Sequence, residues 1–100
     1  MRMYILIKDS VPAGFAVLAA AHASLAAYLK FERTPEVQAW LAGPFYKAVC
    51  RVSADDFERA KAVDDVVVIT ESRLDGAEVA LAFRPRETWP KSFQFFSLFK

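Results

Sequence analysis

The chain has one histidine, His22, and it stands in the middle of an alanine-rich run with no charge before Lys30, PAGFAVLAAAHASLAAYLKF, Pro12 to Phe31. Imidazole takes up and releases a proton near neutrality, so acid-base or hydrolytic chemistry in this sequence has to be built around that residue. Among apolar neighbours a histidine also serves as a hydrogen-bonded core or interface residue, and residue types alone leave both readings open. Cys50 is the only cysteine, which excludes an intrachain disulfide and a thiolate metal cluster held by one chain. Gly14, Gly43 and Gly76 are the only glycines, so there is no glycine loop to cradle a phosphate. Arg84, Arg86 and Lys91, set against Glu87, form a small basic cluster that suits a phosphate or plain solvent.

Those residues must be positioned by few elements, because 100 residues make one domain with one shared core. MYILIK, Met3 to Lys8, is a continuous apolar run of strand length and is expected at the centre of a sheet. Turn formers from Asp9 to Gly14 precede a helix expected over 15–33. On it Phe15, Leu18, His22, Leu25 and Leu29 recur at spacings of three and four and predict an apolar seam that includes the histidine. The alanines at 16, 19, 20, 23, 26 and 27 widen that surface enough to meet a sheet or a second subunit.

Thr34-Pro35-Glu36 is a helix start, and Gly43-Pro44 ends the short helix that follows. YKAVCRV, Tyr46 to Val52, alternates as a strand. Ser53 caps a helix expected from Ala54 to about Val63. VVVIT, Val66 to Thr70, and EVALAF, Glu78 to Phe83, are strands joined through the Asp75-Gly76 turn. The order predicts an α/β domain with four strands, its first crossovers right-handed and its last strand antiparallel to its neighbour. The tail, with four phenylalanines between Phe93 and Phe99, is expected to pack back onto the domain or onto a second copy.

Hydrophobic residues make up 55% of the sequence, too many for a disordered chain. Thirteen Lys and Arg against twelve Asp and Glu leave a net charge of +1, so nucleic acid is not attracted by bulk charge. Val11 to Leu29 is uncharged and about long enough to span a bilayer. Its alanine content, Gly14, Ser24, His22 and a preceding strand rather than a leader favour a cytoplasmic protein without a membrane segment.

Beyond this point a likeness adds to the reading. KDSVPAGFAVLAAAHASLAAY, Lys8 to Tyr28, resembles the type 2 peptidyl-tRNA hydrolase family. In that family a first strand ending in a basic residue and Asp leads through a glycine turn into a helix reading Ala-Gln-x-x-His-Ala. Asp9, Gly14, His22, Ala23 and Tyr28 match. Pro12-Ala13-Gly14-Phe15-Ala16-Val17, Arg84-Pro85 and Phe96-Ser97-Leu98-Phe99-Lys100 are similar to the divergent branch called peptidyl-tRNA hydrolase domain-containing.

The resemblance implies a three-layer α/β/α sandwich on a four-stranded mixed sheet, a homodimer, and cleavage of the ester between peptide and tRNA without a cofactor or metal. It assigns His22 and Glu71 to catalysis, with Lys8, Asp9, Arg84 and Arg86 toward the tRNA. Glu71 falls where the family has the aspartate of Asp-Ala-Gly-x-Thr. The family lysine is Phe15 here, its helix glutamine is Ala19, and its two threonines fall near Leu74 and Val79. Those losses point to weak hydrolysis, or to a non-catalytic module of the same fold that binds tRNA or a protein.

Overall fold

Strand β1, Met3–Lys8, is buried on both faces because its side chains alternate between two apolar clusters. Met3, Ile5 and Ile7 join one, while Tyr4 and Leu6 join the other. The computed structural model describes residues 1–100 as a mixed α/β domain with a five-stranded mixed sheet and three α-helices. The helices are α1, Ala13–Phe31, α2, Pro35–Ala42, and α3, Ala54–Ala60. Strands β2, Lys47–Val52, β3, Val66–Glu71, β4, Ala77–Phe83, and β5, Ser97–Leu98, complete the sheet in the order β3-β4-β1-β2-β5. β1 pairs parallel to β2 and antiparallel to β4, as expected of a last long strand folded back on its neighbours.

Two details differ from the sequence reading. The sheet has a fifth strand, because Ser97 and Leu98 pair antiparallel with Arg51 and Cys50. The first helix covers Ala13–Phe31 rather than 15–33, so Gly14 lies in its first turn and not in a loop.

The larger correction concerns which face of α1 is buried. Ala16, Ala19, Ala23, Ala27 and Phe31 form it, while Val17, Leu25 and Leu29 are more than half exposed. His22 is on the exposed side too. The floor beneath the helix explains this. Ala80 and Ala82 of β4 are fully buried in the same cluster as the α1 alanines. Alanine facing alanine lets the helix axis approach the sheet closely, and a leucine turned inward would overpack that contact.

Both helix caps follow from local chemistry. The Thr34 hydroxyl accepts a hydrogen bond from the Val37 N–H at 3.3 Å, and the Ser53 hydroxyl accepts from the Asp56 N–H at 3.1 Å. The 3-10 turn Ser72–Leu74 joins β3 to β4 through Asp75 and Gly76, whose φ values of 56° and 73° make the left-handed pair of a tight reversal. On the other face of the sheet, Phe57 of α3 and Phe93 of the tail are both buried against Leu6, Leu81 and Phe83. The tail therefore packs onto its own domain.

Candidate functional site

The C-terminal ends of β1, β2 and β3 lie along one edge of the sheet, since all three run in the same direction. Glu71 closes β3 at that edge. Its side chain points to the α1 face, in step with Val67 and Ile69, and it is the only charged residue buried in the chain. Its carboxylate is held by Arg73 alone. The Arg73 N–H donates to Oε2 at 2.8 Å, Nε donates to the same oxygen at 3.2 Å, and Nη2 reaches Oε1 at 3.5 Å.

The Arg73 backbone bond, followed by its side-chain bond, holds the Glu71 carboxyl below the usual carboxylate range. Desolvation opposes this, and the charges of Arg73 and then His22 add smaller parts in the same direction.

The His22 ring lines an open groove of about 440 Å³ between α1 and β3. His22, Leu25, Ala26 and Leu29 make the helix wall, and residues 67–70 make the strand wall. The groove is apolar apart from His22 and Thr70. It runs along β3 toward the end that carries Glu71.

Of the remaining expected site residues, only Lys8 and Asp9 share the sheet end that carries Glu71. Lys8 is on the opposite face of the sheet, with its ammonium 4.5 Å above the Phe57 ring of α3. Asp9 is exposed just past the end of β1, where its N–H donates to the Val52 carbonyl at 2.8 Å. Arg84 follows β4, whose antiparallel course carries it about 20 Å from Glu71 at strand rise. There its guanidinium pairs with Asp65 at 2.9 Å and Glu36 at 3.2 Å. Arg86 donates to the Thr88 carbonyl and lies over the Trp89 ring. The fold sets His22 opposite the strand that ends in Glu71 and separates both from Lys8, Arg84 and Arg86.

Arg73 was not among the residues singled out in the sequence. Its guanidinium lies 5.2 Å over the ring of Phe15, the position at which the resemblance has a lysine. A cation therefore stands beside that position, supplied by the β3–β4 turn instead of α1. The signal for it was local: a basic residue two places after a strand-end acid, within a turn. Ala19, at the family's glutamine position, is buried in the core and presents nothing to the groove.

Cys50 is buried, and burial pushes its thiol up against a smaller opposing pull from Arg2, so it is no thiolate nucleophile. No three His, Cys, Asp or Glu side chains converge in a metal-ligating group.

The Arg73 clamp makes a pH prediction. A carboxylate whose folded pKa is lowered stabilises the fold fully above its ordinary value of 4.5, and that contribution is lost as pH falls through the lower folded value. Glu71→Gln removes the titrating group, so its urea midpoint is expected to fall less than the wild type's between about pH 6 and about pH 3. Parallel losses in the two proteins would show that the clamp does not keep Glu71 ionised.

No protein-family model matches the chain, and no curated protein matches it at a significant level.

Proposed function

We propose that the protein is a peptidyl-tRNA hydrolase-like domain with weak activity on the ester between peptide and tRNA, built as a three-layer α/β/α sandwich of the type 2 kind. The observation that carries this reading is the exposed His22 in an open groove whose strand wall ends in an ionised Glu71. The His22 imidazole takes a proton from water as the water attacks the ester carbonyl, and then returns it to the leaving ribose oxygen. Glu71 acts through its charge and not as a base, since both of its oxygens face Arg73.

The setting is cytoplasmic and the partner is tRNA, with no membrane attachment. By composition α1 is long and apolar enough to cross a bilayer, at a mean hydropathy of 1.3, but it lies across the sheet with its alanine face in the core. A homodimer belongs to the same proposal. Its support moves from the alanine face, which is internal, to the outward Leu41, Phe45 and Tyr46, together with the exposed Phe95 and Leu98 of the tail.

N-blocked aminoacyl-tRNA incubated with pure protein tests the reading by release of the amino acid. Slow turnover is expected, falling on the order of a hundredfold in His22→Ala. No turnover above buffer, or unchanged turnover in His22→Ala, would overturn it.

The non-catalytic reading has its own support in the neutralisation of Glu71 by Arg73. A tRNA gel shift that weakens steeply with salt, without ester cleavage, would favour it.

A further inference from the structure

Strand β3 is an outer strand of the sheet, paired only with β4. Outer strands are commonly protected by charge, proline, shortness or a bulge, because their free peptide groups template another strand. β3 has little of this. Val66 to Thr70 are uncharged, five of its six residues are β-branched, and the register shift beside Ile69 puts the extra residue in β4. Outside its ladder with β4, the β3 backbone makes two hydrogen bonds, one at each end. Lys30 Nζ donates to the Val66 carbonyl at 3.3 Å, and the Gly76 N–H donates to the Glu71 carbonyl at 3.0 Å. The outward peptide groups between them have no partner in the chain.

The groove beside β3 shows that this edge is accessible. Side chains of a strand alternate between faces, so four consecutive residues, 67–70, line one groove only if the groove runs along the strand edge itself. The facing helix wall, His22, Leu25, Ala26 and Leu29, has the i, i+3, i+4, i+7 spacing of a single α1 stripe. An unpaired strand edge opposite an apolar helix stripe is the geometry in which an extended peptide adds a strand: main-chain bonds hold it, and alternate side chains sit against the helix.

We propose that this groove binds the peptide part of the substrate as an added strand on β3. The inference rests on the hydrolytic reading for the ligand's identity and adds how the ligand is held. The histidine sets its direction. His22 and the Glu71–Arg73 pair stand toward one end of β3, and Lys30 stands at the Val66 end, with no carboxylate paired to it. The esterified carbonyl has to lie beside His22, which leaves an acylated, uncharged N-terminal end beside Lys30. The peptide therefore runs parallel to β3.

The probe is an acetylated pentapeptide of alternating valine and serine with a C-terminal amide, titrated into the full chain and followed by amide chemical shifts. Saturable shifts are expected at Val67 to Thr70 and at His22 to Leu29. Methylating alternate peptide nitrogens removes strand bonds but keeps the side chains, and should weaken binding about tenfold or more. Leu25→Lys, at a position 58% exposed where folding is not at risk, should weaken it similarly. The same pentapeptide with a free N-terminal amine should bind more weakly than the parent, because its ammonium would meet Lys30.

Equal binding by the methylated peptide, or shifts confined to another surface, would overturn the proposal. So would a scattering mass twice 11.2 kDa that Leu25→Lys returns to one copy, with no peptide shifts, because a second chain would then fill the groove. Peptide binding without ester turnover would remove the hydrolytic reading and leave the strand-addition groove standing. Turnover without peptide binding would do the reverse.

Discussion

Replacing Phe93 by alanine is expected to destabilise the protein by about 3–5 kcal/mol, the cost of a fully buried aromatic ring and the cavity it leaves. Phe93 is 1% exposed although it sits in the tail, seven residues from the C-terminus. Its ring lies 5.1 Å from Tyr4, 5.3 Å from Phe83, 5.3 Å from Trp89 and 5.0 Å from Phe96. Tyr4 and Phe83 belong to β1 and β4, so one tail ring joins the last irregular segment to the two central strands. Edge-to-face pairs of this kind add to simple burial.

Phe95→Ala is the control, because Phe95 is 78% exposed two positions later and should change stability by no more than about 0.5 kcal/mol. Urea denaturation of the three proteins measures both values. A Phe93→Ala loss below about 1 kcal/mol would mean that the tail does not close the core.

The sequence revealed the elements more clearly than their faces. Thr34, Ser53 and the Asp75-Gly76 turn act locally, and local chemistry is visible in a single chain. β1 was recognised because a short run without polar alternation leaves only a doubly covered strand. The leucine spacing of α1 points to a seam that the fold does not bury, because Ala80 and Ala82, in a strand distant in sequence, set the position of the helix. A non-local fit of small residues leaves no periodic mark on the helix alone. β5 escaped notice for a related reason: two residues pair with β2 only because the tail has already been anchored by Phe93.

The site was legible to a similar degree. Residue type picked out His22, the resemblance supplied Glu71, and both lie on the α1 side of the sheet near one groove. Lys8 was sent to the other face by strand alternation, and Arg84 to the other end by the reversal at Gly76. Each displacement follows from pairing geometry, which a linear motif does not contain.

Arg73 is where those two kinds of information meet, and its removal should have the largest effect on turnover after that of His22. With Phe15 in place of a lysine, the only guanidinium or ammonium holding Glu71 belongs to Arg73, and its side chain remains 63% exposed toward solvent. An exposed guanidinium next to an ionised carboxylate can still donate outward, to the oxyanion that develops on the ester carbonyl or to a phosphate of the 3′ nucleotides. Loss of one such donor costs on the order of a hundredfold in rate. Arg73→Leu is therefore expected to lose about that factor in kcat/KM while the fold survives, since the residue is exposed and its backbone N–H still donates to the Glu71 carboxylate.

Arg73→Lys distinguishes this role from a merely structural one. A lysine keeps the charge but not the fork, so it should recover part of the rate. It should also restore the acid-dependent contribution of Glu71 that Arg73→Leu weakens, because both depend on a cation at that place. Faster turnover in Arg73→Leu would show the opposite arrangement, with Arg73 restraining Glu71 from the chemistry, and the donor role assigned to the guanidinium would be wrong.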